Sequence, residues 1–249
     1  MTTAREVCQQ IQAILGMMEP RGLPGTRTRA LVEQLFALPP DAAWPPAGPA
    51  PVLTAPEFFC PPAPAKNLAE IRQRVLWFAY HFAGLTEMVN NEKWNDEAKT
   101  AELRRDMTAA GWQPGWSYCA AFCEAAWRFA YAGRHELPRI AEILTPGAVQ
   151  SFQNARATGL TSDEPSVGSI AIWQHGQSWQ GHAGIPVGET PTGLITIEGN
   201  TGPTPGTIRE AAGHGDGIFR KTRNTVKPGQ KITGSDLILL GFIPIFESA

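Results

Sequence analysis

Cys119 is the residue in this chain best placed to act as a nucleophile. It opens an apolar segment, Cys119-Ala120-Ala121-Phe122-Cys123, that follows the Pro114-Gly115 turn and has the composition of a helix. At a helix N-terminus, unpaired backbone N–H groups and the helix dipole favour a thiolate and lower the pKa of a thiol. We therefore expect a reactive cysteine at the start of this helix.

A histidine and an acidic residue follow Cys119 in an order that suits cysteine hydrolysis. His182 lies in a strand-like segment that begins at Gly181, and Glu198-Gly199-Asn200 ends the next such segment. An imidazole beside a thiolate can pair with it and then protonate a leaving amine, while a polar third group orients the ring. The order Cys, His, Glu predicts a nucleophile, a general base and acid, and an orienting group.

Neighbouring residues offer competing interpretations. Cys123 lies one helical turn after Cys119 among apolar side chains, which predicts a packing role. His175 is the competing base, although its Gly-rich surroundings lack the strand context of His182. A zinc site formed by these two cysteines and two histidines is a third hypothesis, but the spacing is not that of a common zinc module.

These motifs resemble the CHAP domains, the cysteine- and histidine-dependent amidohydrolases and peptidases of the papain-like NlpC superfamily. The resemblance extends from about Leu68 to Ile245. It implies that Cys119 is the nucleophile, His182 the general base and acid, Glu198 the group that orients His182, and Asn200 a polar assistant. The segments that carry it are the Pro-Gly turn with its Cys-Ala-Ala-Phe helix, Gly168 to Trp173, Gly181 to Ile185, and Ile195 to Asn200.

Aromatic residues near these motifs are candidates for substrate binding, because their faces stack on sugar rings and peptide stems. Trp116 and Trp179 lie beside turns, and we expect them near the substrate groove. Tyr118 stands where the family commonly has Trp, and we expect it to shape the same groove. Trp173 lies within a strand and is expected in the core.

Two departures from the family pattern bear on the site. Pro186 follows His182 in the same strand and cannot donate a ladder hydrogen bond, which predicts an edge strand or a bulge. Some relatives carry an acidic calcium loop before the nucleophile, whereas residues 107 to 118 contain no Asp or Glu. We therefore expect no calcium requirement. For the site as a whole, we expect that it needs no metal and no other cofactor.

Composition divides the chain into three parts. Residues 1–38 show helical periodicity around a Gly-rich turn that resembles small peptidoglycan-binding modules, with a plain docking hairpin as the alternative. Residues 39–66 form a Pro/Ala-rich linker. Residues 67–249 have helical patterns first and short strand patterns later, which predicts an α+β domain of papain-like type, with helices packed on an antiparallel sheet.

Overall composition excludes several classes of function. The formal net charge is −2 with both signs interspersed, so nucleic-acid binding is not expected. No apolar run has the length of a membrane span, and the N-terminal residues lack the pattern of a secretory signal. We expect synthesis in the cytoplasm and action in the periplasm or cell wall.

The resemblance implies a peptidoglycan hydrolase, an amidase or an endopeptidase that cuts an amide of the wall peptide. Two settings fit: a phage-type endolysin released with a holin, or an antibacterial effector delivered by a secretion system. The alternatives are a catalytically inactive wall-binding protein on the same fold and a cysteine peptidase that acts on proteins.

Overall fold

The second half of the described chain forms a twisted antiparallel sheet against which helices from the first half pack. The computed structural model describes residues 64–89, 93–191, 193–202 and 217–247. These residues all belong to one unit, Pro61–Ala249. The expected N-terminal helical module lies outside the described residues.

Five helices precede the sheet in the described chain. The first two have side-chain caps: Asn67 and Asp96 accept hydrogen bonds from the backbone N–H groups of Glu70 and Lys99. The helices are α1, Leu68–Phe82; α2, Glu97–Ala109; α3, Cys119–Ala130; α4, Leu137–Ile143; and α5, Ala148–Ala157.

The α1 helix is amphipathic. Its buried side chains are Ile71, Val75, Phe78, Ala79 and Phe82, which recur at helical spacing. The α3 helix is buried on almost every side, as a helix that is apolar all round must be. Its alanines let neighbouring elements approach closely, so α3 forms the centre of the domain.

Seven strands are described. Two short ones, β1 (Glu87–Val89) and β2 (Lys93–Trp94), pair with each other between α1 and α2. The other five form one antiparallel sheet in the order β6-β5-β4-β3-β7. They are β3, Ile170–His175; β4, Gly181–Thr190; β5, Gly193–Thr201; β6, Gly217–Arg223; and β7, Leu237–Ile243.

Alternation along the strands gives the sheet two covered faces. Ile170 and Ile172 of β3 join the large core with the helices, whereas Ala171 and Trp173 join a second cluster with Ile232 and other residues. Trp173 is fully buried, as expected for a strand residue. The α+β class with helices on an antiparallel sheet is confirmed.

Pro186 lies in a central strand, because β4 pairs with β3 on one side and β5 on the other. The register between β4 and β5 shifts between Pro186 and Gly188. The chain therefore adopts the predicted bulge rather than an edge position, and the bulge accommodates the missing N–H group of proline.

The described chain begins with residues that pack on the domain. Ala65 is buried, and its carbonyl oxygen accepts a hydrogen bond from Nη1 of Arg134. Arg134 also pairs with Glu136 and with Glu247 near the C-terminal end. The segment just before α1, which composition assigns to the linker, is thus held against the turn after α3.

Among the described residues, no helix combines the length and the apolar character needed to cross a membrane.

Candidate active site

Cys119 is the first residue of α3, where the sequence places it. The preceding turn contains Gly115 at a φ of 88° and is held by Trp112, whose Nε1 donates to the carbonyl oxygen of Trp116 at 2.9 Å. The N–H groups of a first helical turn have no partner within the helix and remain free to act on an anion. The thiol is thus positioned at the positive end of α3.

His182 comes to Cys119 from the sheet. It is the second residue of β4, opposite Trp173 of β3, and the two rings lie 6.0 Å apart between centroids. The imidazole hydrogen-bonds the Cys119 sulfur. Cys119 is 5% exposed and His182 8%, so little of the pair is open to solvent.

Glu198 completes a hydrogen-bonded line. Its Oε2 lies 2.8 Å from Nε2 of His182, which leaves Nδ1 of the ring to face Cys119. The carboxylate is fully buried in β5. Gly184 of β4 makes room for it, because a Cβ at this position would lie 2.6 Å from Cγ of Glu198.

Glu198 has two further partners that the sequence analysis did not single out. Thr196 donates its hydroxyl to Oε1 at 2.5 Å, and Nε of Arg223 donates to the same oxygen at 2.7 Å, while Nη2 of Arg223 pairs with Oε2. Thr196 stands two residues before Glu198. The alternation of side chains along a strand therefore predicts that both lie on the same face of β5. Arg223 belongs to no sequence motif, and only the pairing of β5 with β6 brings it close to Glu198.

Gly199 sets the approach of β5 to α3. A Cβ on Gly199 would lie 3.0 Å from Cβ of Phe122 and 3.1 Å from Cδ2 of Tyr118. The missing side chain therefore lets the strand that carries Glu198 pack directly on the start of the nucleophile helix.

Tyr118 is not in a substrate groove, contrary to expectation. Its side chain is fully buried, and its ring packs 5.2 Å from that of Trp94 and against Gly199. Burial removes it from contact with a ligand and makes it a support for β5.

The other two candidate aromatic residues are exposed. Trp116 is 47% exposed and Trp179 is 83% exposed, and each stands three residues before Cys119 or His182 respectively. Exposure of such large apolar side chains is compatible with stacking on a ligand.

Asn200 has an unusual backbone conformation. Its φ is 53°, and it is the one non-glycine residue of the described chain with a positive φ. Asparagine tolerates this region better than most residues. It lies where the pairing of β5 with β6 shifts between Glu198 and Thr201, two residues beyond Glu198.

The electrostatics of the three residues favour a charged pair. Burial raises the pKa of the Cys119 thiol, but the His182 hydrogen bond and charge, with the N–H groups of Ala183 and Ala120, bring it below its ordinary value. Burial lowers the pKa of His182, yet hydrogen bonds to Cys119 and Glu198 raise it to about 9. A thiolate beside an imidazolium is the state that these shifts favour near neutral pH.

The competing residues have other partners. His175 ends β3, and its Nδ1 lies 2.8 Å from Oδ1 of Asp236 in an exposed pair. Cys123 is buried, and that burial raises its pKa well above its ordinary value. The described residues contain no group of three or more His, Cys, Asp or Glu side chains that could hold a metal ion.

Comparison with known families agrees with this geometry. Residues 109–200, the segment that carries Cys119, His182 and Glu198, match the family model of the CHAP domain. No curated protein and no solved structure matches the chain significantly.

Proposed function

We propose that the CHAP domain of this chain hydrolyses an amide bond in the peptide part of peptidoglycan through Cys119, His182 and Glu198. CHAP domains are typically hydrolases that act on peptidoglycan. The observation that carries the proposal is the buried line from the Cys119 thiol through His182 to Glu198.

The first half of the reaction forms a thioester. The Cys119 thiolate attacks the amide carbonyl carbon, and N–H groups of the first turn of α3 stabilise the oxyanion. The imidazolium of His182 gives its proton to the amide nitrogen, the C–N bond breaks, and the amine leaves. Glu198 holds the ring throughout, so Nδ1 remains directed at the reacting atoms.

The second half restores the enzyme. Neutral His182 takes a proton from water, and the oxygen attacks the thioester carbon. The C–S bond then breaks, a carboxylic acid is released, and the thiolate again faces an imidazolium. Each cycle consumes one water and produces one amine and one acid.

The substrate that we propose is the wall peptide, with Trp116 and Trp179 as contact residues. The support is their exposure and their place just before the two reacting side chains in sequence. Stacking on an apolar face suits the sugar and peptide parts of peptidoglycan alike. The proposed place of action is accordingly the cell wall.

Turbidity of purified sacculi tests the function, with mass spectrometry of the soluble products. We expect clearing, together with new amino and carboxyl termini in the wall peptide. Products that retain intact wall peptides, or an activity confined to protein substrates, would contradict the proposal. Binding to sacculi without any released product would favour the inactive wall-binding alternative.

Chelation should leave the activity intact, because the nucleophile is a thiolate and the loop before it supplies no carboxylates for calcium. We expect equal lysis rates with and without excess EDTA, and loss of lysis after treatment with iodoacetamide. Complete loss in EDTA that Ca²⁺ or Zn²⁺ restores would overturn the metal-free mechanism.

Replacing Glu198 with glutamine should lower turnover by about 10²-fold without abolishing it. An amide oxygen can still accept a hydrogen bond from imidazole, but it no longer stabilises the positive charge. Asn200→Ala should have a smaller effect in the same lysis assay. Complete loss in Asn200→Ala, with Glu198→Gln fully active, would instead make Asn200 the orienting group.

A further inference from the structure

The guanidinium of Arg223 clamps the Glu198 carboxylate, with one hydrogen bond to each of its two oxygens. Nε donates to Oε1 at 2.7 Å, and Nη2 pairs with Oε2, the oxygen that also accepts from His182. Two parallel hydrogen bonds from a planar guanidinium fix the plane of a carboxylate as well as its charge. With the Thr196 hydroxyl on Oε1, the carboxylate has donors on both oxygens.

Arg223 is itself held in place. Its side chain is 13% exposed, and its Cζ lies 5.9 Å from the centroid of the Trp173 ring. Trp173 is fully buried, and its Nε1 donates to the Thr225 hydroxyl at 3.0 Å. The same ring lies 6.0 Å from that of His182. One fixed aromatic side chain therefore lies beside both His182 and Arg223, the two residues that share Oε2 of Glu198.

The hydrogen bonds that hold Glu198 also fix the orientation of the His182 imidazole. A carboxylate held by the two Arg223 hydrogen bonds presents Oε2 to Nε2 of His182 in one direction. The ring then directs Nδ1 at Cys119. Without Arg223, the buried carboxylate would keep only the Thr196 hydroxyl and His182 as hydrogen-bond partners, and His182 would be its main cationic partner. A buried anion that loses a partner tends to take up a proton.

We propose that Arg223 is a positioning residue of the site, which acts through Glu198 by keeping the carboxylate ionised and aimed at His182. The inference rests on the proposed function for its meaning in catalysis. It adds a residue outside the segment that matches the CHAP model, which ends at residue 200.

Several other groups surround the carboxylate and share its electrostatic environment. Lys221 lies on the same strand as Arg223, but its Nζ donates to the carbonyl oxygen of Gly202 at 2.8 Å, and burial lowers its pKa. The ionisable groups that interact with Glu198 are the imidazole of His182 from β4, the Cys123 thiol from α3, and Lys221 and Arg223 from β6.

The charge state of Glu198 agrees with the clamp. Burial raises the pKa of this carboxyl, but the Arg223 hydrogen bond, followed by that of His182, holds it well below its ordinary value. The guanidinium therefore opposes the effect of burial. A protonated Glu198 would no longer stabilise the imidazolium, so the thiolate–imidazolium pair would be less stable and the pKa of the Cys119 thiol would rise.

The test is the pH dependence of Cys119 alkylation by iodoacetamide in the full-length protein, followed at Cys119 by tandem mass spectrometry. We expect the acid limb of the rate profile to move upward by about one pH unit or more in Arg223→Met. Lys227→Met is the matched control, because Lys227 is exposed in a turn after β6 and its loss removes the same charge. Its profile should overlay that of the unchanged protein.

A double-variant cycle separates action through Glu198 from a general effect of charge. In a Glu198→Gln background, Arg223→Met should add no further shift of the acid limb. Arg223→Lys should move the acid limb upward by less than Arg223→Met does, because the ammonium keeps the charge but cannot donate two parallel hydrogen bonds, and turnover on sacculi should fall about tenfold. An equal shift in both backgrounds, or an unmoved acid limb in folded Arg223→Met, would overturn the proposal.

If Arg223→Met does not fold, two variants test the proposal: Arg223→Lys alone and Arg223→Lys in the Glu198→Gln background. Circular dichroism checks the folding of each variant at each pH. Arg223→Lys should slow alkylation near neutral pH when Glu198 is present and not when it is Gln. Unchanged alkylation and turnover in Arg223→Lys would overturn the clamp. Alkylation needs no substrate, so failure of sacculus lysis in the unchanged protein would contradict the proposed function and leave this result standing.

Discussion

Replacing Cys119 with alanine is expected to stop hydrolysis of sacculi, with a loss of about 10⁵-fold or more in turnover. The substitution removes the sulfur that forms the thioester. The helix tolerates alanine at its first position, and α3 already contains five alanines between 120 and 130. The lysis rate and the circular dichroism spectrum together separate lost chemistry from lost structure.

Cys123→Ala is the matched control for this experiment. Both cysteines are buried on α3, one turn apart, so each change removes one sulfur from the same helix. The second change should cost about 1 kcal/mol of stability through lost packing and leave turnover within a fewfold of the original. Wild-type lysis by Cys119→Ala would exclude Cys119 as the nucleophile, and complete loss in a folded Cys123→Ala would give Cys123 a role beyond packing.

The sequence is most informative where local chemistry and periodicity coincide. The five buried positions of α1 follow from helical spacing, and Cys119 as the first residue of α3 follows from the Pro-Gly turn before an apolar run. Strand alternation locates the segments around His182 and Glu198. In each case the determining interactions lie within a few residues of one another.

Other features depend on pairing between distant segments, which periodicity does not contain. Periodicity also does not reveal the short helices α4 and α5, because Pro138 and Gly147 interrupt any long pattern in that region. The contact of Arg223 with Glu198 spans 25 residues and requires the register of β5 against β6.

Tyr118 shows how a side chain next to a reactive residue can be misplaced by sequence alone. An aromatic residue before the nucleophile can face either the groove or the core. The absence of a side chain at Gly199 opens a space between β5 and α3, and the Tyr118 ring fills it. Only the packing of strand against helix decides between the two directions.

Replacing His182 with alanine is the second change with a large expected effect, about 10⁴-fold or more in turnover. The variant loses the proton donor for the leaving amine and the counterion of the thiolate. Alkylation of Cys119 near neutral pH should slow as well, because the hydrogen bond and charge of His182 are what bring the pKa of the buried thiol below its ordinary value.

The pH profile of the unchanged protein tests the same role of His182. Its pKa is raised to about 9, so the imidazolium persists through neutral pH and is lost as the pH rises through that value. Turnover on sacculi should therefore fall on the alkaline side with a midpoint near pH 9, since only the protonated ring can protonate the amine. His175→Ala, which removes an exposed imidazole paired with Asp236, should change neither the profile nor the alkylation rate. Dependence of both measurements on His175, with His182→Ala unaffected, would reverse the assignment of the base.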